Sequence, residues 1–171
     1  MSAAVRLLAA RLGQRDRLLL SQWSLPHGHS LAARRAWIAL TQLGSATVTI
    51  AVAVLVPVLG ESRSAALWTP AVALTLSHLV VQLIKRSVQR DRPPQPPLIP
   101  CPDRFSFPSG HATSSLAIGL SLAMRQPGLA PVLIPLALLV GWSRVVLGVH
   151  YPGDVLAGQG IAAATVLLMS M

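Results

Sequence analysis

Residues 85–111 read KRSVQRDRPPQPPLIPCPDRFSFPSGH. An apolar run leads into this stretch and another leaves it. Inside it, Pro93, Pro94, Pro96, Pro97, Pro100, Pro102 and Pro108 forbid a continuous helix. The stretch is therefore a long loop between two helices, and structureless segments of that length are more often functional than accidental. Its polar residues gather at its ends: Lys85 with Arg92-Pro93 at one, Pro108-Ser109-Gly110-His111 at the other.

The rest of the chain repeats this alternation of apolar runs and polar ends. Residues 36–59 contain no charged side chain and are long enough to span a bilayer. Residues 65–85 form a second run, broken only by His78 and Gln82 before Lys85. A third starts at Ser109 and ends near Met124, before the Pro127-Gly128 turn. A fourth covers 129–147, with Gly148 placed to end it in a left-handed cap. The last begins at Gly153 and reaches Met171. The expected fold is all-α: an integral membrane bundle of about five transmembrane helices plus an N-terminal interfacial helix.

Composition agrees with this. The chain of 171 residues is 53 % hydrophobic and 11 % charged, with a mean hydropathy of +0.60. Soluble domains carry about 25 % charged residues. The formal net charge of +9 would suggest nucleic acid in a soluble protein. Here the basic residues sit at the ends of apolar runs, where cations meet lipid head groups, and no basic stripe is interleaved with aromatics. No nucleic-acid partner is expected. The single cysteine, Cys101, cannot form an intrachain disulfide.

Residues 1–35 read as a basic arm. Arg6, Arg11, Arg15 and Arg17 interrupt any signal-peptide core, while Val5, Leu8, Leu12 and Leu19 fall near one helical face. If the runs alternate across the membrane, this arm, the 86–108 loop and the 148–153 turn share one side. The turns at 60–64 and 125–128 lie on the other. Trp23, Trp37 and Trp142 then fall near the first interface and Trp68 near the second, as an aromatic belt would have them. Three polar clusters far apart in sequence thus meet on one face.

Each cluster has a chemical reading and a plainer one. Ser109 can cap the helix it opens. The free amides of that first turn, with Gly110 beside them, make an anion site at which His111 points. Taken alone, the same residues are an ordinary cap and an interfacial histidine. Arg144, beside Ser143, closes an apolar helix, where an unpaired charge is costly. Pro152 suits the first turn of the last helix, and Asp154 falls in that turn just after His150. Asp154 could fix the tautomer of His150 and leave its other nitrogen as a nucleophile; the plainer reading is a capping aspartate and a surface histidine. Arg92 can grip two phosphate oxygens in a planar fork, and Lys85 adds a point charge. Arg86, Arg90 and Arg104 read as helix-flank anchors. His27 and His29 read as an interfacial loop rather than a metal motif. His78, Gln82 and Lys85 share one face of the second helix, expected to look into the bundle, with His78 in an interhelical hydrogen bond.

Together the clusters offer two histidines, a carboxylate and several fixed cations, the groups that stabilise a phosphoryl transition state. The few acidic residues, Asp16, Glu61, Asp91, Asp103 and Asp154, form no evident metal-binding cluster. Catalysis without a metal or other cofactor is the expectation.

At these positions the chain resembles the type 2 phosphatidic acid phosphatase superfamily. Its signature, K-x6-RP, PSGH and SR-x5-H-x3-D, is matched in order at Lys85/Arg92/Pro93, Pro108 to His111, and Ser143/Arg144/His150/Asp154. A chance match of these positions at one placement is on the order of 10⁻¹⁴. The resemblance implies that residues 36–171 form a transmembrane phosphatase domain. It implies that His150 attacks phosphorus, that Asp154 orients it, and that His111 protonates the leaving oxygen and then activates water. Lys85, Arg92, Ser109, Gly110 and Arg144 would hold the phosphate. It implies lipid phosphates or isoprenoid diphosphates such as undecaprenyl diphosphate or phosphatidylglycerol phosphate as substrates, in a bacterial inner membrane. Membrane members often have six spanning helices, one more than the runs counted here. Two other readings stay open: a vanadate-dependent haloperoxidase-like enzyme, and a non-catalytic protein that binds lipid phosphate.

Setting aside Lys85, Arg92 and Arg144, the cluster side carries Arg6, Arg11, Arg15, Arg17, Arg34, Arg35, Arg86, Arg90 and Arg104; the other side carries Arg63 and Arg125. The positive-inside rule then expects the site on the cytoplasmic face.

Overall fold

The computed structural model describes residues 3–26, 30–59, 68–94, 96–101 and 103–171, with side chains from Gly13 onward. Among them the protein is all-helical: α1 (Ala3–Trp23), α2 (Leu31–Gln42), α3 (Ala46–Leu59), α4 (Thr69–Val88), α5 (Gly110–Arg125), α6 (Ala130–Val146) and α7 (Pro152–Met169). The His27/His29 pair and the 60–64 turn lie outside the described residues.

The burial pattern is that of a protein in lipid. Leu83, Leu156 and Leu168 are exposed, while Lys85, Arg144 and Asp154 are buried. Among the described residues three helices are long and apolar enough to cross a membrane: α4, α6 with its preceding turn, and α7. A bent pair, α2 and α3, makes up to a fourth if the two pieces cross as one span. That is fewer than the five expected from the apolar runs, and the shortfall is α5. Its 16 residues reach about 24 Å at 1.5 Å per residue, short of the ~30 Å hydrocarbon core. This helix sits at the centre instead, packed against α3, α4, α6 and α7. Its buried residues are mostly alanine, serine, threonine and glycine, whose small side chains let neighbouring backbones approach.

The apolar run 36–59 is also not one straight helix. It breaks at Leu43-Gly44-Ser45, and the two pieces meet at 43°. The break frees the Gly44 carbonyl, which accepts from Ser114 Oγ of α5 at 3.0 Å. A backbone bond lost in the first span is thus replaced by a cross-helix bond beside His111. The first piece begins at Leu31, ahead of the expected start, with Ser30 Oγ capping Ala33 N at 3.2 Å.

The proline-rich loop is pinned rather than loose. Leu98 N donates to Leu147 O at 3.2 Å, Arg34 Nη2 donates to Leu98 O at 2.9 Å, and Leu98 packs on Leu147 and Val149. Ser106 N donates to Arg90 O at 2.8 Å, which draws the loop's two ends together. Gly148 has φ +72°, the left-handed end expected for α6. Tyr151 and Pro152 then start α7. The loop therefore lies over the turn that carries His150.

Candidate active site

Asp154 is fully enclosed, like Ser109. It occupies the first turn of α7 with no exposed surface. Its Oδ2 accepts from Tyr151 N at 2.9 Å, the favourable place for a carboxylate at a helix start. Its Oδ1 accepts from Arg90 Nη1 at 2.8 Å. The Nδ1 of His150 lies 3.5 Å from Oδ2, long for a hydrogen bond, and has no other partner. The two side chains are adjacent as the spacing anticipates. Catalytic contacts are often long in a free site and tighten around substrate.

The opposite nitrogen of the ring, Nε2, stands 3.4 Å from Arg92 Nη1. A guanidinium can only donate, so Nε2 presents its lone pair and the ring proton belongs on Nδ1, facing Asp154. Arg92 is itself fixed: its Nε donates to Asp103 O at 2.7 Å and its Nη1 to Val149 O at 2.7 Å. Burial holds His150 well below the usual imidazole range, at about 4. Arg144 and Arg92 push the same way, and Asp154 opposes them. The imidazole is neutral at physiological pH.

Lys85, buried at the end of α4, donates to Asp103 Oδ2 at 2.6 Å. Burial alone would raise the Asp103 pKa, but Lys85, Arg92 and His150 hold it below the usual carboxylate range. Arg144 reaches across to Thr41 Oγ1 at 2.9 Å and leaves its Nε without a partner. Ser109 opens α5 as expected, but its Oγ caps nothing; it is buried and unpartnered. Ser109 is instead held by its amide, which donates to Asp154 O at 2.9 Å. The first turn of α5, with Gly110 and His111, therefore begins beside the catalytic candidates. His111 is within electrostatic reach of Arg144, His150, Asp103 and Lys85.

Among the described buried side-chain atoms, those with no hydrogen-bond partner are Ser109 Oγ, Arg144 Nε, His150 Nδ1 and Ser121 Oγ. Three of the four belong to this site. Buried polar atoms are rarely left unpaired. Here two donors, Ser109 Oγ and Arg144 Nε, suit an oxyanion.

Residues 66–171 match the profile of the PAP2 superfamily. The chain belongs to that superfamily. It is 47 % identical over 88 residues to decaprenylphosphoryl-5-phosphoribose phosphatase of Mycolicibacterium smegmatis, across 48 % of this chain and 47 % of that one. It is 33 % identical over 107 residues to lipid A 1-phosphatase of Rhizobium johnstonii, across 57 % of this chain and 44 % of that one. The chain spans about half the length of the curated relatives it matches. The first transmembrane PAP2 type phosphatidylglycerolphosphate phosphatase structure, from Bacillus subtilis, shares the fold. Its TM-score is 0.80 at 24 % identity, covering 94 % of this chain and 85 % of that one. These comparisons bear out the resemblance, the all-helical fold and an integral membrane protein of the PAP2 superfamily.

The structure adds residues that sequence reasoning passed over. Arg90, read as a flank anchor, binds Asp154 and also Asp16 at 2.8 Å, and lies 4.1 Å over the Tyr151 ring. Arg86 and Arg104 are exposed as flank anchors would be. Asp103, Asp16 and Thr41 each hold a site cation. Their partners lie from 18 to 103 residues away, and no local pattern marks them. His78 bonds Gln82 of its own helix at 3.0 Å, where an interhelical partner was expected. Both line a cleft of about 490 Å³ between α3, α4 and α5, together with His111, Gly110 and Asp103.

Proposed function

We propose that this protein is a metal-independent membrane phosphatase that hydrolyses lipid phosphates or isoprenoid diphosphates through a phosphohistidine intermediate. The observation that carries this reading is the His150 ring, neutral and with Nε2 facing Arg92, backed by Asp154 and set beside unpaired donors of Ser109 and Arg144. A simple phosphate binder needs cations but no oriented neutral imidazole.

In the proposed reaction the Nε2 lone pair of His150 attacks phosphorus. The bond from phosphorus to the leaving oxygen breaks, and His111 gives that oxygen its proton. Asp154 stabilises the imidazolium formed on His150. Lys85, Arg92, Arg144, Ser109 Oγ and the α5 amides near Gly110 take up the charge on the equatorial oxygens. Water then attacks the phosphohistidine, His111 accepts its proton, and the P–N bond breaks to release phosphate and restore His150.

The cleft that shares His111 supports a lipid leaving group. Its lining also includes Ile50, Leu74 and Leu79, interspersed with Thr49 and Thr75. Domain roles follow: residues 36–171 act as the phosphatase domain and residues 1–35 as the basic arm. The bacterial inner membrane and a site on its cytoplasmic face are part of the same proposal. Among the relatives' activities, a prenyl-linked phosphosugar, lipid A and phosphatidylglycerol phosphate give the substrate panel.

The test is phosphate release by the purified protein from that panel and from undecaprenyl diphosphate, with and without EDTA. Release that survives EDTA and vanishes in His150→Ala, with the variant still folded, is expected. Full release by His150→Ala would refute the nucleophile. Labelling of an Arg104→Cys variant, in a Cys101→Ser background, by an impermeant thiol reagent in intact cells would place the site outside.

A further inference from the structure

We propose that the N-terminal helix α1 is a working part of the catalytic centre, with Asp16 a positioning residue that acts through Arg90 on the Asp154 carboxylate. This rests on the phosphatase reading. It assigns a role to α1 and Asp16, which the family match does not reach, since that match begins at residue 66.

The geometry is a continuous chain of charges. Asp16 Oδ2 lies 2.8 Å from Arg90 Nη2, and Arg90 Nη1 lies 2.8 Å from Asp154 Oδ1. Two carboxylates thus grip two nitrogens of one planar guanidinium. The ring of Tyr151 closes one face of that plane, 4.1 Å from its carbon. The other oxygen of Asp16, Oδ1, accepts from Gly153 N at 2.8 Å. Asp16 therefore satisfies a first-turn amide of α7, one residue before Asp154. Gly153 is required for the approach, because a Cβ there would come within 2.7 Å of Asp16 Oδ2.

The helix is seated firmly enough to serve this purpose. Leu20, one turn beyond Asp16, is buried against Ala112, Val145, Tyr151 and Val155. Trp23 packs on Trp142 with ring centroids 4.7 Å apart, and Leu25 N donates to Val146 O at 2.8 Å. The contacts hold α1 on α6 and α7, the elements on either side of His150.

The physical consequence concerns Arg90. A guanidinium with one carboxylate partner can rotate toward solvent or toward a bound phosphate, where it would compete with Asp154. Held at both edges, it keeps one orientation. Asp154 keeps its fully buried position and its charge stays compensated. With two anions to one cation, the group carries net negative charge next to His150. That favours the imidazolium of a phosphohistidine. Asp16 touches no reacting atom, so its removal should loosen the nucleophile's support and leave phosphate binding intact.

The experiment compares Asp16→Asn, Asp16→Glu, Arg90→Lys and the Asp16→Asn/Arg90→Lys double variant with wild type. A water-soluble phosphate monoester is used so that lipid access is not limiting, and thermal unfolding is read on the same samples. Asp16→Asn should lower kcat about tenfold, the scale of a small misplacement of reacting groups, with KM changed less than twofold. Asp16→Glu should restore most of the loss. The double variant should lose little more than Arg90→Lys alone, because both act along one path. Full kcat in Asp16→Asn, a loss confined to KM, or multiplying losses in the double variant would each overturn the proposal. If Asp16→Asn does not fold, Gly153→Ala substitutes for it: every charge is kept, Asp16 is displaced, and an unchanged kcat sinks the idea. Wild type without turnover on any substrate would instead refute the phosphatase reading itself.

Discussion

Lys85 Nζ rests 2.6 Å from Asp103 Oδ2, so a cation assigned to phosphate already has a carboxylate partner. The pair is unequal: the Lys85 side chain is 7 % exposed and that of Asp103 53 %. A dianionic phosphate entering the site meets the Asp103 charge as well as the Lys85 charge. The carboxylate acts as a placeholder that holds the ammonium in position and competes with the ligand.

Asp103→Asn should therefore tighten binding of orthovanadate. Screening by water at the exposed Asp103 keeps the gain to about three- to tenfold. Added salt should shrink it, since the Debye length falls to about 3 Å at 1 M. Inhibition constants for orthovanadate at low and high salt measure both effects. Weaker inhibition would mean that holding Lys85 in place outweighs the repulsion.

Neutral His150 sets the pH response. Its pKa lies at about 4, first because of burial, against an ordinary value of 6.5. For a base whose folded pKa is depressed, the stabilising contribution is complete above 6.5 and is lost as pH falls toward 4. The acid limb of kcat/KM should accordingly lie well below 6.5. Thermal unfolding of wild type and His150→Ala between pH 7 and 4 checks the same point. Wild type should lose more stability over that window than the variant, which has no ring to charge.

The readable parts of this protein were those with local causes. Prolines 93–108 mark the loop, Gly148 ends α6, Pro152 starts α7, and Asp154 falls in its first turn because spacing alone puts it there. What was hidden depends on distant partners. The bend between α2 and α3 has no proline; its freed carbonyl is satisfied by Ser114, 70 residues away. The central position of α5 shows only as an excess of small residues, which a hydropathy reading takes for a weak span. Arg90 looked like its neighbours Arg86 and Arg104, and only the fold brings Asp16 and Asp154 to its two edges.

Asp154→Asn tests the orienting role proposed for this carboxylate. The substitution keeps the shape but removes the charge that Arg90 and Nδ1 of His150 face. A neutral amide can also donate to His150 and favour the wrong tautomer. A loss in kcat of about 10³- to 10⁴-fold is expected by analogy with triads. KM for a soluble phosphate ester should move little, because Asp154 is fully buried, with its oxygens taken up by Arg90 and Tyr151 N. A loss that appears mainly in KM would assign Asp154 to binding instead.

If the cleft beside His111 admits the lipid chain, as proposed, filling it should separate access from chemistry. Ile50 of α3 and Leu79 of α4 line it, and both are exposed. Filling it with Ile50→Trp or Leu79→Trp should obstruct a long-chain leaving group while leaving the charged centre untouched. Exposed positions on lipid-facing helices tolerate an added aromatic ring, so the variants should fold. Turnover of a long-chain lipid phosphate should fall about tenfold or more, the scale of a misplaced reacting group. Turnover of a small water-soluble ester should stay within twofold of wild type. Equal losses on both substrates would show that the rings disturb the centre itself, and equal retention would place the lipid chain in another groove.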